Sequence, residues 1–259
     1  MIGERLLRRE CSSSSAPLLE TRAISKRFGG LDAVSAVDFS LDRGEVRALI
    51  GPNGAGKTTL VSLISGRLGP TSGRVLFAGR DITGLGPWDR ANLGIVYTFQ
   101  ITSIYRSLSV FDNVALAAQR RRLRRLADWV ALDRAAVAAD VEAALDTAGL
   151  GGLRDQQAGA LAYGHQRALE VAMAMALKPE LLILDEPTQG LAPEDIEALC
   201  RLVRDLARVA TVLLIEHNME VVLELASRVT VMDAGRIIAE GTPREIEAHP
   251  EVQRAYLGR

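Results

Sequence analysis

The sequence predicts an α/β fold with a mainly parallel sheet, interrupted by an inserted α-helical subdomain. Three observations carry this. Short apolar segments alternate with helix-patterned segments from Pro179 onward, the pattern of strands joined by crossover helices. The mostly apolar segment Val46–Ile50 runs straight into a glycine-rich loop, and Leu60, Leu63 and Ile64 after the loop have helical spacing. From Val110 to Gly149 the chain has no earlier Pro or Gly and is rich in Ala, Leu, Arg and Asp, a composition that favours helix.

Taken in order, residues 1–16 read as a tail: Ser12 to Ser15 form a serine run, and Arg5, Arg8, Arg9 and Glu10 break up any apolar signal core around Leu6 and Leu7. The chain becomes strand-like from Leu18. Val37, Phe39 and Leu41 alternate with Asp38, Ser40 and Asp42, the period of a half-buried strand. Gly44 marks a turn, and residues 74–78 form a strand between Gly73 and Gly79. Ser109 is placed to cap a helix starting at Val110. Gly149, Gly151 and Gly152 close that block, and a further helix over 166–177 stops before Pro179. Then come a strand over 181–184, a helix over 194–207, a strand at Thr211–Ile215 and a helix over 220–226. Residues 228–232 and 236–240 form a hairpin across Asp233, Ala234 and Gly235. The helical block, about 99–177, reads as a subdomain within a single domain over 17–259. There is no internal repeat.

Composition narrows the function classes. With 31 Lys plus Arg against 32 Asp plus Glu, the net charge of −1 gives no general attraction to nucleic acid. A hydrophobic content of 48% excludes wholesale disorder. Cys11 and Cys200 are too few for a disulfide or zinc framework and fit a reduced, cytosolic chain. The longest apolar run, 171–177, falls far short of the roughly 18 residues of a membrane span. The chain is therefore expected in the cytoplasm or on the cytoplasmic face of another body. Five arginines between Arg120 and Arg125 read first as a solvated helix face, with lipid headgroups or a membrane subunit as the other reading. Met173 and Met175 read as helix packing.

Two motifs carry chemistry. Gly51-Pro52-Asn53-Gly54-Ala55-Gly56-Lys57-Thr58 matches G-x-x-x-x-G-K-[ST] between a strand and a helix. Glycines let the backbone curl its N–H groups onto phosphates, and the following helix points its positive end at the same anion. Lys57 supplies a full charge to the β- and γ-phosphates, and the Thr58 hydroxyl is the expected Mg²⁺ ligand. Thr59 completes the loop. The apolar strand ending at Asp185-Glu186 gives two carboxylates that strand alternation sends in different directions. Asp185 is the metal-side candidate and Glu186 the base that polarises water toward the γ-phosphate. Together these define a P-loop NTPase.

Three further segments narrow it: Thr98-Phe99-Gln100, Leu161-Ala162-Tyr163-Gly164-His165-Gln166-Arg167, and Glu216-His217-Asn218-Met219. With these in order the chain resembles the ATP-binding subunits of ABC transporters from about Leu18 to Gly258. The resemblance implies a P-loop NTPase core with an antiparallel β subdomain as well as the helical one. It implies ATP and Mg²⁺ as cofactors. Phe28 becomes the adenine platform, with a core aromatic as its alternative. Gln100 touches Mg²⁺ and attacking water, and His217 holds the γ-phosphate and orders Glu186. Ala162, Tyr163, Gly164 and Gln166 belong to a signature turn that closes on the nucleotide of a second ATP-binding subunit. Gly164 would let backbone approach that phosphate.

Two departures stand out. Ala162 replaces the usual serine, so a hydroxyl contact is missing while backbone donors remain. Gly190-Leu191-Ala192-Pro193-Glu194 stands where many members carry Ser-Ala-Leu-Asp. Local segments, among them Lys26-Arg27-Phe28-Gly29-Gly30 and Ala255-Tyr256-Leu257-Gly258, resemble the branched-chain amino acid importer branch, whose relatives serve urea and short amides. That branch implies a homo- or heterodimer, two transmembrane permease subunits and, indirectly, a periplasmic solute-binding protein. It places the chain peripherally on the cytoplasmic face of the inner membrane. The alternatives are a weakly hydrolysing nucleotide sensor, favoured by Ala162, and an ABC ATPase acting on DNA or ribosomes. The second lacks its long coiled coil: only about sixty residues separate Gln100 from Leu161.

Overall fold

The computed structural model describes residues 16–98, 104–122 and 133–256. Among these residues ten strands form two sheets. β1 (Leu19–Phe28), β2 (Leu31–Leu41), β4 (Ser72–Phe77) and β5 (Arg80–Asp81) make an antiparallel sheet of order β2-β1-β4-β5. The second sheet has six strands in the order β10-β9-β3-β8-β7-β6. Its members are β3 (Val46–Ile50), β6 (Ile95–Thr98), β7 (Leu181–Asp185), β8 (Thr211–Ile215), β9 (Arg228–Asp233) and β10 (Arg236–Gly241). All its neighbours pair parallel except the edge hairpin β9–β10.

Every residue of β3, β7 and β8 is buried, as expected of a parallel sheet covered on both faces. Alternation divides β7. Leu181 and Ile183 join a core with α1 (Lys57–Ile64) and the antiparallel sheet, while Leu182 and Leu184 face α6 (Pro193–Ala207). Between β6 and β7 in the chain lie α3 (Val110–Arg122), α4 (Arg134–Thr147) and α5 (Tyr163–Ala176). These three bury Val114, Val141, Leu145 and Leu169 against one another in their own core. Ser109 caps α3 as its spacing predicts: the Asp112 N–H donates to its hydroxyl at 2.9 Å.

Four readings need correction. The sequence pattern passes over β6, α2 (Pro87–Asn92), α8 (Pro243–Glu247) and α9 (Pro250–Tyr256), all too short for a repeating pattern to stand out. α5 starts at Tyr163 rather than Gln166, because Gly164 is tolerated inside the first turn. The hairpin turn is the two residues Ala234 and Gly235, with φ of 43° and 78°, the primed geometry that matches strand twist. Arg120 is not simply solvated, since its guanidinium carbon lies 3.3 Å from the centroid of the Trp88 ring and it donates to Asn92.

The end of α1 is closed by a residue far along the chain. Arg90 on α2 is 1% exposed. Its guanidinium donates to the carbonyls of Leu63 (2.6 Å), Ile64 (2.8 Å), Leu85 (3.0 Å) and Thr83 (3.0 Å). Two of those carbonyls lie in the last turn of α1, where regular i→i+4 donors run out and the Leu63 carbonyl has only a long 3.4 Å bond from the Gly66 N–H besides the cap. Arg90→Met keeps most of the volume and removes all four donors. It should lower the unfolding free energy by about 3 kcal/mol in a urea titration; a loss within experimental error would mean that the carbonyls find other donors.

Candidate functional site

The parallel register sets the site. Leu49 and Asp185 both pair with Ile215 on β8, and the Glu186 N–H extends the ladder to the Ile215 carbonyl at 2.9 Å. The carboxyl ends of β3, β7 and β8 therefore sit side by side, and the loops leaving them share one edge of the sheet. That edge is where open α/β sheets bind ligands.

The loop after β3 is held from behind as well as shaped from within. Lys57 is 9% exposed, and its ammonium donates to the carbonyls of Gly51 (2.7 Å) and Pro52 (3.0 Å). Burial pulls its pKa down, and the carboxylates of Glu186 and Asp185 partly oppose that. The Gly235 N–H of the β9–β10 turn donates to the Ala55 carbonyl at 3.0 Å. A Cβ at Gly51 (φ 151°) would lie 2.1 Å from the Met232 carbonyl oxygen. Glycine is thus required there by a neighbouring strand, quite apart from any phosphate. α1 starts behind Gly56 with no side-chain cap and no acidic residue in its first turn, so its N–H groups remain available to an anion.

A cleft of about 520 Å³ is lined by Phe28, Leu31, Asp32, Ala33, the loop from Asn53 to Thr59, Glu186, Ala234 and Gly235. It joins Phe28, Asn53, Gly54, Ala55, Gly56, Lys57, Thr58, Thr59 and Glu186 of the sequence candidates. Phe28 ends β1 and is 46% exposed, so its ring is a surface face of the cleft. Glu186 has φ 48°: it leaves the strand in the left-handed region, so backbone strain together with alternation directs its side chain.

Asp185 lies beneath the cleft, 2% exposed. The Tyr97 hydroxyl donates to its Oδ2 at 2.5 Å, while Oδ1 is buried with no hydrogen-bond partner among the described residues. Burial raises the Asp185 pKa; the bond from Tyr97 opposes this, Glu186 adds to it, and Lys57 and Arg67 oppose it. The Tyr97 phenol is pushed up, first by burial and then by this carboxylate, so it stays a donor. A buried oxygen lacking a partner, next to a hydroxyl-bearing loop, fits a hard divalent cation. Among the described residues no group of three or more His, Cys, Asp or Glu could hold a metal alone.

The other candidates stand apart from the cleft. His217 follows β8 with its side chain 58% exposed, outside the cleft lining. The signature residues Ala162, Tyr163, Gly164 and Gln166 are outside it too. Ala162 occupies the N-cap of α5 without a side-chain cap, where a serine would have served. Gln166 is buried, and its amide donates to the Leu161 carbonyl at 2.8 Å. A Cβ at Gly164 would lie 2.3–2.5 Å from the carboxyl atoms of Asp195, so the close approach that Gly164 admits within this chain is that of a neighbouring side chain. Tyr163 donates to the Gln189 carbonyl at 3.3 Å, tying this turn to the loop that follows Glu186. Gln100 and Phe99 lie outside the described residues, as does the tail up to Ser15.

The sequence reading missed Glu216 as a working residue. It is 1% exposed, and its Oε1 accepts from the Thr188 N–H (3.1 Å) and hydroxyl (2.5 Å). Its Oε2 accepts from the N–H groups of His217 (3.0 Å) and Asn218 (3.3 Å). One carboxylate thus fixes the loop carrying His217 to the loop after Glu186. Its position directly after the apolar run 212–215 was the available signal. Glu216→Ala leaves those donors buried without an acceptor and should cost about 2–4 kcal/mol in guanidinium melts; a cost below about 0.5 kcal/mol would refute the bridging role.

Comparison with known proteins agrees with this geometry. Residues 34–189 match the ABC transporter family model, and residues 236–259 match the model described as branched-chain amino acid ATP-binding cassette transporter. The high-affinity branched-chain amino acid transport ATP-binding protein LivG of Escherichia coli (strain K12) is 40% identical over 259 residues, covering 94% of this chain and 99% of its own. BraF of Pseudomonas aeruginosa, described in the same words, is 39% identical over 254 residues with the same coverage. Among solved structures, the ADP conformation of an ATP-binding cassette of an ABC transporter superposes with a TM-score of 0.84 at 31% identity, covering 95% of this chain and all of that one. A nucleotide-free ATP-binding cassette from an ABC transporter gives 0.83 at 31% identity, covering 94% and 100%. The phosphate loop, the acidic strand end and the helical insert thus have one source: the chain belongs to the ABC transporter family, as one of its ATP-binding cassettes.

Proposed function

We propose that this chain is the ATP-hydrolysing subunit of an importer for branched-chain amino acids or related small amides. The observation that carries the reading is the single cleft that joins an exposed aromatic, the phosphate loop and Glu186. The relatives named above are transport subunits, which supports coupling to solute movement over a nucleotide sensor or a DNA- or ribosome-acting ATPase.

The chain's own groups divide the work. Phe28 offers a ring face to the base. The N–H groups from Asn53 to Thr59 and the Lys57 ammonium bind the β- and γ-phosphates, with Lys57 exchanging its bonds to Gly51 and Pro52 for phosphate oxygens. Thr58 and Asp185, with Gln100, would hold Mg²⁺, which when bound would supply positive charge to offset that of the phosphates. Glu186 accepts the proton of the attacking water. His217, on the loop anchored by Glu216, reaches the γ-phosphate in the closed state. Gln166 acts as a brace for the signature turn through Leu161.

A second ATP-binding subunit, identical or paralogous, supplies the opposing signature. The placement of Ala162, Tyr163 and Gly164 away from their own chain's cleft supports that arrangement. Two transmembrane permeases form the rest of the machine, and a periplasmic binding protein acts on it from the other side. The exposed Tyr105 and Leu116 line a groove of about 390 Å³ between the end of α2 and the helical block that would receive a permease. No helix among the described residues is long and apolar enough to cross a membrane. Docking on such permeases would place the chain peripherally on the inner face of the inner membrane.

Two substitutions test the division of labour. Lys57→Ala should weaken ATP binding by about 100-fold or more, measured by calorimetry; unchanged affinity would remove Lys57 from the phosphate site. Glu186→Gln should keep ATP affinity and lower turnover in the assembled complex by about 100-fold or more. Normal hydrolysis by that variant would reassign the base.

A further inference from the structure

The motifs account for Asp185 but not for the group that holds it. Tyr97 is the last residue but one of β6, one strand further out, in register with Ile183 of β7. Alternation places Tyr97, Ile183 and Asp185 on the same face of the sheet, the face that α1 covers. From there the Tyr97 hydroxyl reaches Oδ2 of Asp185 at 2.5 Å. The phenol is itself restrained. The guanidinium carbon of Arg67, just past α1, lies 5.2 Å from its ring centroid, and the hydroxyl of the next residue, Thr98, donates to the Ile183 carbonyl at 3.3 Å. The two carboxylate oxygens are thereby made unequal: Oδ2 is engaged, and Oδ1 is buried and unpartnered.

A free carboxylate can rotate about its last torsion and exchange its oxygens. One that accepts a short hydrogen bond on a single oxygen cannot do so without breaking it. Groups that orient ligands in this way shift metal affinity about as strongly as many ligands do.

We propose that Tyr97 is a positioning residue for the Mg²⁺ site: by holding Oδ2 of Asp185 it fixes Oδ1 as the oxygen offered to the cation or to its coordinated water. The inference rests on the reading of Asp185 as the cation's carboxylate. It assigns Tyr97 no contact with nucleotide.

The test separates the cation from the nucleotide. Affinity of the purified full-length chain for a fluorescent ATP analogue is measured in EDTA. Mn²⁺ affinity is then measured by electron paramagnetic resonance with a non-hydrolysable ATP analogue present. Tyr97→Phe keeps the ring and removes only the hydroxyl. It should leave the EDTA affinity within twofold of the parent and weaken Mn²⁺ binding about tenfold or more. Asp185→Asn, measured in parallel, should weaken Mn²⁺ at least as much. Unchanged Mn²⁺ affinity in Tyr97→Phe beside a loss in Asp185→Asn would overturn the role of Tyr97 and leave the reading of Asp185 standing. Unchanged Mn²⁺ affinity in both would overturn the two together. Equal losses in EDTA and with Mn²⁺ for Tyr97→Phe would mean general damage to the fold and would also overturn the proposal.

Discussion

Parallel pairing of β3, β8 and β7 is the constraint on which the molecule depends. Three loops from distant parts of the chain become neighbours only because Leu49, Ile215 and Asp185 fall at one level of the ladder. In a parallel sheet all strands end in the same direction, so their carboxyl ends gather at one edge. A shift of one residue on β7 would bring Leu184 to the α1 face and carry Asp185 to the other. Nearly everything else in the core serves to hold that register: apolar residues on both faces of the sheet, and Glu216 bridging two of the loops once the strands have ended.

The site is a set of charges kept out of water and only partly satisfied. Lys57 leans on two carbonyls of its own loop, and burial disfavours its charge. Asp185 is buried with one oxygen bonded and one not. α1 and α5 both begin without a side-chain cap. Each group carries a desolvation cost that an anion or a cation of the right kind would offset. Preorganisation of that sort costs stability, and buried carboxylate and guanidinium bridges elsewhere offset the cost: Glu216 between loops, Arg90 at the end of α1, and Arg47 against Glu45, Thr230 and Glu240.

The departures from the family pattern have local consequences. Ala162 leaves the N-cap of α5 without an oxygen, so what the turn presents to a ligand is backbone alone. The Asp195 carboxyl group packs against Gly164, and Tyr163 binds the Gln189 carbonyl. The signature turn is therefore joined within its own chain to the segment that follows Glu186. The unusual Gly190-Leu191-Ala192-Pro193-Glu194 stretch is the same segment leading into α6.

What the sequence determined by itself was local and periodic. The phosphate loop has residue types set by the backbone path and by the charge it must face. The strand before it and the acidic strand are buried on every residue, and mostly apolar, because both faces of the sheet are covered. Ser109, Gly44 and the Ala234–Gly235 turn announced ends and reversals through their own side chains or lack of them. What only the tertiary structure decided was who meets whom across long separations. Tyr97 and Asp185 are 88 residues apart and Thr188 and Glu216 are 28 apart, and no periodicity carries such a pairing. Gly51 illustrates the division: the motif demands a glycine there for phosphate, and the fold demands it again because the Met232 carbonyl occupies the space of a side chain. The physical reason is the same throughout: propensity and alternation act within one segment, whereas contact between segments follows from strand register and packing, which exist only once the chain has folded.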